Sequence, residues 1–258
     1  MRANMTMCAI VAILGASGLA LTFANTFLTN SGNPQTFEIR EYMVNSTIGK
    51  VVGSGQEQKI DEIRINGIWK KEIVTVSFHF DNLKYDSETR AIARQAINGP
   101  ITGYNLTGWN IVFDTMLNNS GSSSTRLVIP NDSGDTDSDT DIVVSFASQQ
   151  AAEGINGGRP FALATVTVLP DKSLDHVSIV VYDTDSLYEE KILVPVLIHE
   201  LGHALGLGHS TKLDSIMYPR IVIHNDKIGG DIGICEIAAL NANYVDRQDI
   251  TESLECKI

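Results

Sequence analysis

The chain has 258 residues, of which 43% are hydrophobic and 19% are charged, a composition typical of globular proteins that excludes disordered and collagen-like chains. Its 31 acidic residues outnumber its 19 Lys and Arg residues, so the formal net charge at pH 7 is -12. This charge has the wrong sign for neutralising phosphates, and we therefore expect neither nucleic acids nor anionic membrane surfaces as partners.

The first two dozen residues have the pattern of an export signal. Arg2 supplies a positive charge, and the run from Cys8 to Ala24 contains no charged residue. Such a run before small side chains is typical of a cleaved signal peptide, so we expect residues 1–24 to be removed and the protein to be secreted. The alternative is an uncleaved N-terminal membrane anchor, because the run is close to the shortest length that crosses about 30 Å of hydrocarbon.

Residues 25–67 form a polar stretch with several glycines and little hydrophobic periodicity. This composition is typical of a linker, so we expect a loose N-terminal arm or a short pro-segment. No internal repeat follows, and residues 68–258 are predicted to form one domain of catalytic size.

The first predicted elements of this domain are a strand and a helix. Apolar residues alternate from Ile73 to Phe80, as in a half-buried strand. Asp86 or Ser87 then begins a helix that continues to about Ile97, where Gly99 and a proline end it.

Short segments rich in β-branched and aromatic residues come next, separated by clusters of Gly, Asn, Asp and Ser. We predict strands at Trp109 to Asp114, Thr125 to Ile129, Asp141 to Phe146, Ala162 to Leu169 and His176 to Tyr182. These segments indicate a sheet of about five strands.

Two further helices complete the predicted domain. One spans about Glu189 to Leu205 with acidic residues in its first turn, and Pro195 inside it indicates either a kink or a later start. The other lies near Asp231 to Val245, with Ile234 and Ile237 among the residues along its apolar side.

Three of the six histidines lie within eleven residues, in the string His199-Glu200-Leu201-Gly202-His203-Ala204-Leu205-Gly206-Leu207-Gly208-His209. Two histidines four residues apart on a helix point in nearly the same direction, so His199 and His203 can reach one metal ion. Gly206 allows the chain to turn back, which would bring His209 round as a third nitrogen ligand.

Three protein ligands leave a fourth position open for water, which is the arrangement of a catalytic zinc site. Zinc lowers the pKa of bound water to near 7 and polarises a carbonyl group. Glu200, next to the first ligand, can act as general base and return the proton to the leaving amine. We therefore predict one catalytic zinc ion with Glu200 as the catalytic base. The alternative is an ordinary amphipathic helix whose histidines are hydrogen bonded.

The histidine string resembles the HExxHxxGxxH motif of the metzincin zinc peptidases, and the serine after the third histidine resembles their matrixin branch. The sequence Ser215-Ile216-Met217-Tyr218-Pro219 resembles the Met-turn of these enzymes. The resemblance implies that Met217 packs beneath the three imidazoles without binding metal, and that Tyr218 and Pro219 line the pocket for the residue after the scissile bond. It also implies an α+β, metzincin-like domain with a mixed sheet of about five strands and three main helices.

Weaker similarity extends to the sheet. The segment that begins with Leu163 and Ala164 and ends at Pro170 resembles the edge strand above the matrixin cleft. An exposed edge can pair its backbone with an extended peptide, so we expect Leu163 and Ala164 to bind substrate. The expected partners are extended peptides or proteins, and we expect the protein to be a monomer.

Some positions depart from the family pattern. Where matrixins bind a second, structural zinc, the nearest positions hold Thr165 and Val180, so we expect one zinc ion only. Asp183 and Asp185 occupy the turn where the family often binds calcium. Oxygen-rich loops suit calcium, so a calcium site at these residues is one prediction, and solvated loop acids are the alternative.

The usual latency device of the family, a cysteine in the pro-segment, has no counterpart here, since no cysteine lies between Asn25 and Leu201. Either the protein has no such zymogen, or the arm before Trp69 blocks the cleft by other means. The sequence does not decide between these two possibilities.

If the signal is removed, Cys235 and Cys256 are the cysteines of the mature chain. They can pair in an oxidising compartment, which would stabilise the fold by roughly 3 kcal/mol in the loop-entropy model. The alternative is two unpaired thiols.

The sequence therefore predicts a secreted zinc-dependent endopeptidase. Two alternatives stay open, namely a catalytically silent adhesion or binding module on the same scaffold and a zinc-dependent amidase. The presence of Glu200 favours an active enzyme, because a disused site has no need of its base, and the Met-turn favours a peptidase over an amidase.

Overall fold

A computed structural model of the chain describes residues 33–42, 61–101, 106–120, 125–130, 140–151, 160–219, 222–224, 227–230, 232–245 and 253–256. The predicted signal peptide, residues 1–24, lies outside the described residues.

The strands, in chain order, are β1 Gln35–Tyr42, β2 Asp61–Ile65, β3 Ile73–Asp81, β4 Pro100–Ile101, β5 Leu106–Thr107, β6 Arg126–Val128, β7 Ile142–Ala147, β8 Pro160–Val168, β9 Leu174–Val181, β10 Leu207–Ser210, β11 Val222–His224, β12 Lys227–Gly229 and β13 Ser253–Cys256. The helices are α1 Asp86–Asn98, α2 Trp109–Ser120, α3 Thr184–Glu189, α4 Leu193–Ala204 and α5 Ile234–Leu240, which continues into a π-helical turn, Asn241–Val245. A mixed sheet with several helices confirms the α+β class.

The main sheet has the strand order β1-β8-β9-β7-β3-β6. Strands β6, β3, β7 and β9 run parallel to one another, whereas β8 is antiparallel to both β9 and β1. The sheet therefore has six strands, compared with the predicted five. The additional strand, β1, lies in the stretch for which we expected a loose arm.

One face of this sheet carries the core. Along β7, Ile142, Val144 and Phe146 are fully buried, and they alternate with partly exposed residues, as the sequence pattern predicts for a strand packed on one side. Helix α4 packs against β8 and β9 and is buried along its whole length. The predicted metal-binding helix thus lies inside the domain, next to the outer part of the sheet.

The prediction of a strand at Trp109 to Asp114 is wrong, because these residues begin helix α2. Trp109, Asn110, Val112 and Phe113 are buried, which is the spacing of one helical face. The β-branched and aromatic residues that suggested a strand are therefore core contacts of a helix.

The prediction that the fourth helix begins near Glu189 with acids in its first turn is also wrong. Glu189 is the last residue of α3, and α4 begins at Leu193 without an acid in its first turn. Lys191 between them has a positive φ of 60°, which breaks the helix. Pro195 lies in the first turn of α4, where its missing N–H costs no hydrogen bond. Of the two alternatives for Pro195, the structure therefore has the later start.

Helix α5 is present where predicted, but it buries another side. Ile234 is 77% exposed, and Ile237 also faces solvent. The buried residues are Cys235, Glu236, Ala239 and Leu240. Inward contacts of Cys235 and Glu236, described below, fix this orientation.

A second, three-stranded sheet has the order β10-β2-β13, with β2 antiparallel to both neighbours. Cys256 at the end of β13 forms a disulfide with Cys235 in α5, with the two Cα atoms 5.6 Å apart. The disulfide alternative left open by the sequence is thus the one in the structure. It links the last described strand to the final helix.

Among the helices in the described ranges, none is both long and apolar enough to span a membrane.

Candidate metal centre

Two imidazoles of the centre come from α4, where His199 and His203 lie one turn apart. The Nδ1 atom of His199 is 2.6 Å from the carbonyl oxygen of Ile216, and that of His203 is 2.8 Å from the carbonyl oxygen of Leu207. Because a carbonyl oxygen only accepts, both Nδ1 atoms must carry the proton and donate. This tautomer leaves the lone pair on Nε2, the nitrogen that would bind a metal.

The third imidazole is brought round by a turn at the end of α4. Gly206 has a φ of 89°, which favours glycine, and any side chain there would collide with the carbonyl group of Gly67. The Gly206 carbonyl accepts a 2.7 Å hydrogen bond from the amide of Asn66. His209 follows in β10, and β10 pairs with β2, so residues before the predicted domain help to position this histidine.

The three imidazoles converge. One ligand nitrogen from each of His199, His203 and His209 lies within 4.8 Å of the other two. Two nitrogens bound to one zinc at about 2.1 Å can be no more than about 4.2 Å apart, so the spacing is close to that of a single ion. Within the described ranges, this is the one group of three or more His, Cys, Asp or Glu side chains that could hold a metal.

Glu200 lies beside the first histidine on α4 and is 0% exposed. His203 is fully buried too, whereas His209 is partly exposed. Of the three histidines, His209 is thus the most exposed to solvent. A buried carboxylate such as that of Glu200 is a candidate proton acceptor, because little bulk water competes for it.

Met217 lies against the helix that carries two of the histidines. It is fully buried, and its sulfur contacts the backbone of Gly202, which lies between His199 and His203. Its carbonyl oxygen accepts a 2.8 Å hydrogen bond from the amide of Ser210, next to His209. Met217 therefore contacts both chain segments that supply imidazoles.

Glu236, which no sequence pattern singled out, supports the turn around Met217. Its carboxylate is 1% exposed and accepts a hydrogen bond from the hydroxyl of Ser215 and another, of 2.8 Å, from the amide of Gly233. The same hydroxyl accepts a 2.9 Å hydrogen bond from the amide of Met217. An acid at the third position of a helix is a known signal of a helix start. The hydrogen bond from Ser215 was not predictable in this way, because Ser215 lies 21 positions away in the sequence.

Two further residues without a sequence signal hold the end of α4. The indole of Trp69 donates a 2.8 Å hydrogen bond to the carbonyl of Ala204, and the hydroxyl of Tyr244 donates one of 2.9 Å to the carbonyl of Leu205. Carbonyl groups at the end of a helix lack helical partners, so these bonds fix the last turn next to His203.

The residues predicted to bind calcium make hydrogen bonds within the chain. The carboxylate of Asp185 accepts from the amides of Lys84 and Tyr85, both at 3.1 Å. That of Asp183 accepts from Ser186 and Gln150. These bonds tie the start of α3 to neighbouring loops, and calcium binding here stays a prediction.

The expectation that β8 is an exposed edge strand is wrong. Strand β1 pairs with it from end to end, so that Arg40 lies opposite Leu163 and Ile39 lies opposite Ala164. The reason is non-local, because the charged residues of β1 obscure the strand pattern and its pairing partner lies at least 118 residues away. Tyr218 and Pro219, the other predicted substrate-binding residues, follow Met217 and are partly exposed.

Comparisons with known proteins agree with this geometry. The family model "Matrixin" matches residues 119–234. Among curated proteins, the chain is 43% identical to Metalloendoproteinase 2-MMP and 36% identical to Metalloendoproteinase 4-MMP, both of Arabidopsis thaliana, over 56 residues in each case. It is 53% identical over 36 residues to Metalloendoproteinase 1 of Glycine max.

These alignments are short. They cover 20%, 20% and 14% of this chain, and 15%, 16% and 12% of 2-MMP, 4-MMP and the Glycine max protein respectively. The chain thus matches less than a fifth of the length of these relatives. The matched family segment nevertheless contains all three histidines, Glu200 and Met217. Residues 119–234, a little less than half of this chain, are thus similar to the matrixin family.

Proposed function

We propose that the protein is a zinc-dependent endopeptidase in which His199, His203 and His209 bind the ion and Glu200 is the general base. The observation that carries the proposal is the convergence of the three imidazoles, each within reach of one ion. Similarity to the matrixin family over residues 119–234 supports it, as do short matches to relatives that are named metalloendoproteinases.

The donor set fits zinc. Three neutral imidazoles are the ligands of many catalytic zinc sites, and two of them are held in the required tautomer by backbone carbonyls. A zinc ion bound by these residues would supply a Lewis acid that polarises the substrate carbonyl and makes water easier to deprotonate.

Glu200 then performs the proton transfers. Its carboxylate accepts a proton from the attacking water and passes it to the nitrogen of the leaving amine, so that the peptide bond is cleaved into a carboxylate and an amine. Its position next to His199 on a rigid, buried helix keeps the carboxylate beside the reacting groups.

Extended peptides are the proposed substrates. Once β1 has left this edge, the backbone of Leu163 and Ala164 in β8 would pair with the peptide. Tyr218 and Pro219 would line the pocket for the residue after the scissile bond. Strand β8 packs against α4, which supports this placement of a peptide near the histidines. Main-chain pairing grips many sequences, so we propose an enzyme of broad specificity.

We also propose that the enzyme is exported and acts as a monomer outside the cell. The signal-like N-terminus supports export, and so does the Cys235–Cys256 disulfide, because disulfides persist mainly in oxidising compartments.

The test is hydrolysis of casein, an unstructured protein, by the purified chain. Glu200→Gln should keep the zinc but lose activity by about a hundredfold or more, because the general base is gone. Glu190→Gln, an exposed acid outside α4, is the matched control and should retain full activity. Normal turnover by Glu200→Gln would refute the mechanism. The function would be refuted if neither zinc-loaded wild type nor zinc-loaded Ile39→Asp, a variant in which strand β1 is destabilised, cleaves casein or short peptides.

A further inference from the structure

Strand β1 covers the outer edge of β8 along its full length. The register runs antiparallel from Gln35 opposite Val168 to Tyr42 opposite Pro160, with one irregularity near Tyr42. If β1 is left out, β8 is the outermost strand on that side of the main sheet. The edge to which a peptide substrate would pair is therefore occupied by the chain itself.

The contact has the two components of peptide binding by strand addition. Main-chain pairing supplies affinity, and alternate side chains supply packing. Phe37 and Ile39 are partly buried against the hydrophobic core, whereas the alternate residues Thr36 and Glu38 are exposed. Across the strands, the hydroxyls of Thr36 and Thr167 are 3.2 Å apart and form a hydrogen bond.

We propose that residues 35–42 are an intramolecular inhibitor that occupies the peptide-binding edge of β8 and must leave before a substrate can bind. This proposal rests on the proposed function, since it assigns the regulation of the same site. It chooses between the two possibilities that the missing pro-segment cysteine leaves open: the arm blocks the cleft by strand pairing.

The link between β1 and β2 explains how β1 can compete with a peptide substrate for the edge of β8. Eighteen residues, 43–60, connect β1 to β2, and β2 is fixed to the strand of His209. A segment on a tether of this kind has an effective concentration on the order of millimolar. A peptide substrate at micromolar concentration is therefore excluded until β1 is displaced or removed.

A disulfide across the two strands tests whether β1 must move. Thr36 and Thr167 lie directly opposite each other, which is a spacing that a disulfide can span. The oxidised double variant Thr36→Cys/Thr167→Cys should cleave a short peptide with a kcat/KM at least about tenfold below wild type, and reduction should restore it.

We call the oxidised Thr36→Cys/Thr167→Cys variant the oxidised lock. Its controls are wild type and Thr36→Cys alone, both oxidised and reduced in the same way, because reduction can also break the Cys235–Cys256 disulfide that every form contains. Zinc content is measured on each sample. An oxidised double variant that cleaves the peptide at the wild-type rate would overturn the proposal, since a peptide could then bind with β1 in place.

The converse variant loosens the strand. Ile39→Asp places a charge against the core and should raise kcat/KM by about tenfold or more. Thr36→Asp puts the same charge on the exposed face and removes only the hydrogen bond to Thr167, so its effect should be clearly smaller. A folded Ile39→Asp protein with unchanged or lower activity would contradict the inhibitory role.

A binding measurement separates this proposal from the proposed function. In the Glu200→Gln background, a fluorescent peptide with the sequence of residues 33–42 should bind to the Ile39→Asp variant and not to the oxidised lock. Failure to bind the folded Ile39→Asp variant, or equal binding to both, would overturn the proposal. If the peptide binds as expected, but the same variants with Glu200 restored hydrolyse no peptide, the result would support the inhibitory strand and refute the peptidase.

Discussion

The backbone of Gly202 lies directly against the sulfur of Met217. A side chain at Gly202 would overlap this sulfur and come within 3.2 Å of the ring of Trp109. Because Gly202 lies between His199 and His203, its missing side chain sets the distance between the histidine helix and the turn below it. The glycine is thus required by packing rather than by its backbone conformation.

Gly202→Ala should therefore destabilise the protein. Overpacking of a filled core costs about 1–3 kcal/mol, partly offset by the better helix propensity of alanine. We expect a lower free energy of unfolding in urea and weaker zinc binding. Gly99→Ala is the matched control, since its new methyl group would meet only ordinary contacts at 3.4 Å or more. Equal stability of both variants would show that Met217 is not held tightly against α4.

Ser215→Ala tests the support of the Met217 turn by Glu236. The substitution removes the donor to a buried carboxylate and the acceptor of the Met217 amide, so we expect a loss of about 1–3 kcal/mol in the free energy of unfolding. Zinc affinity should fall as well. Ser87→Ala, whose hydroxyl contacts only the exposed Glu88 among the hydrogen bonds described, should change neither quantity. A loss of stability with unchanged zinc affinity would separate the turn from the metal centre.

The disulfide should stabilise the small sheet that carries His209. It closes a loop with a sequence separation of 21 residues, for which the loop-entropy model gives about 3 kcal/mol. Cys235→Ser/Cys256→Ser should lower the free energy of unfolding in urea by that amount. Dithiothreitol should destabilise wild type to the same extent and leave the double variant unchanged. A reductant effect on the double variant would point to a cause other than this disulfide.

Tyr244 should make stability fall at high pH. Burial raises the pKa of its hydroxyl above the ordinary value near 10, and the hydrogen bond from the Trp69 amide lowers it by less. Below about pH 10 the hydroxyl keeps its proton in both states, so its contribution is complete. Above that pH the unfolded state ionises first, and the contribution is lost progressively as the pH rises towards the folded pKa.

Tyr244→Phe should remove this loss. At pH 7 the variant should be less stable by about 1 kcal/mol, because the bond to the Leu205 carbonyl is gone. Between pH 10 and 11 the difference from wild type should shrink. Urea unfolding across this range, with the partly exposed Tyr182→Phe as control, measures both effects. A constant difference at every pH would contradict the buried position of the hydroxyl.

Local patterns in the sequence predicted much of the fold. The alternation in β3 and β7 and the spacing of His199 and His203 depend on neighbours along the chain, and the structure places these segments as predicted. Strand β1 was not predictable in this way, because its charged residues lack a strand pattern and its partner, β8, is distant in sequence. The strand predicted at Trp109 is a helix in the structure, because a short run of aromatic and β-branched residues suits either a strand or a buried helix.

In the candidate site too, the local features were predictable and the long-range contacts were not. The three histidines and Glu200 follow from a motif within eleven residues. The residues that hold the motif in place, Trp69, Glu236 and Tyr244, act through contacts between distant segments. Hydrogen bonds of this kind leave no periodic trace in a single sequence.

Zinc binding tests the central claim most directly. The purified chain is first dialysed against a weak chelator and then titrated with zinc, and it should bind about one zinc ion per molecule. His203→Ala and His209→Ala should bind none under the same conditions. His176→Ala, on the partly exposed face of β9, should match wild type. Wild-type protein without zinc, or His203→Ala protein that binds zinc as tightly as wild type, would contradict the assignment of the metal centre.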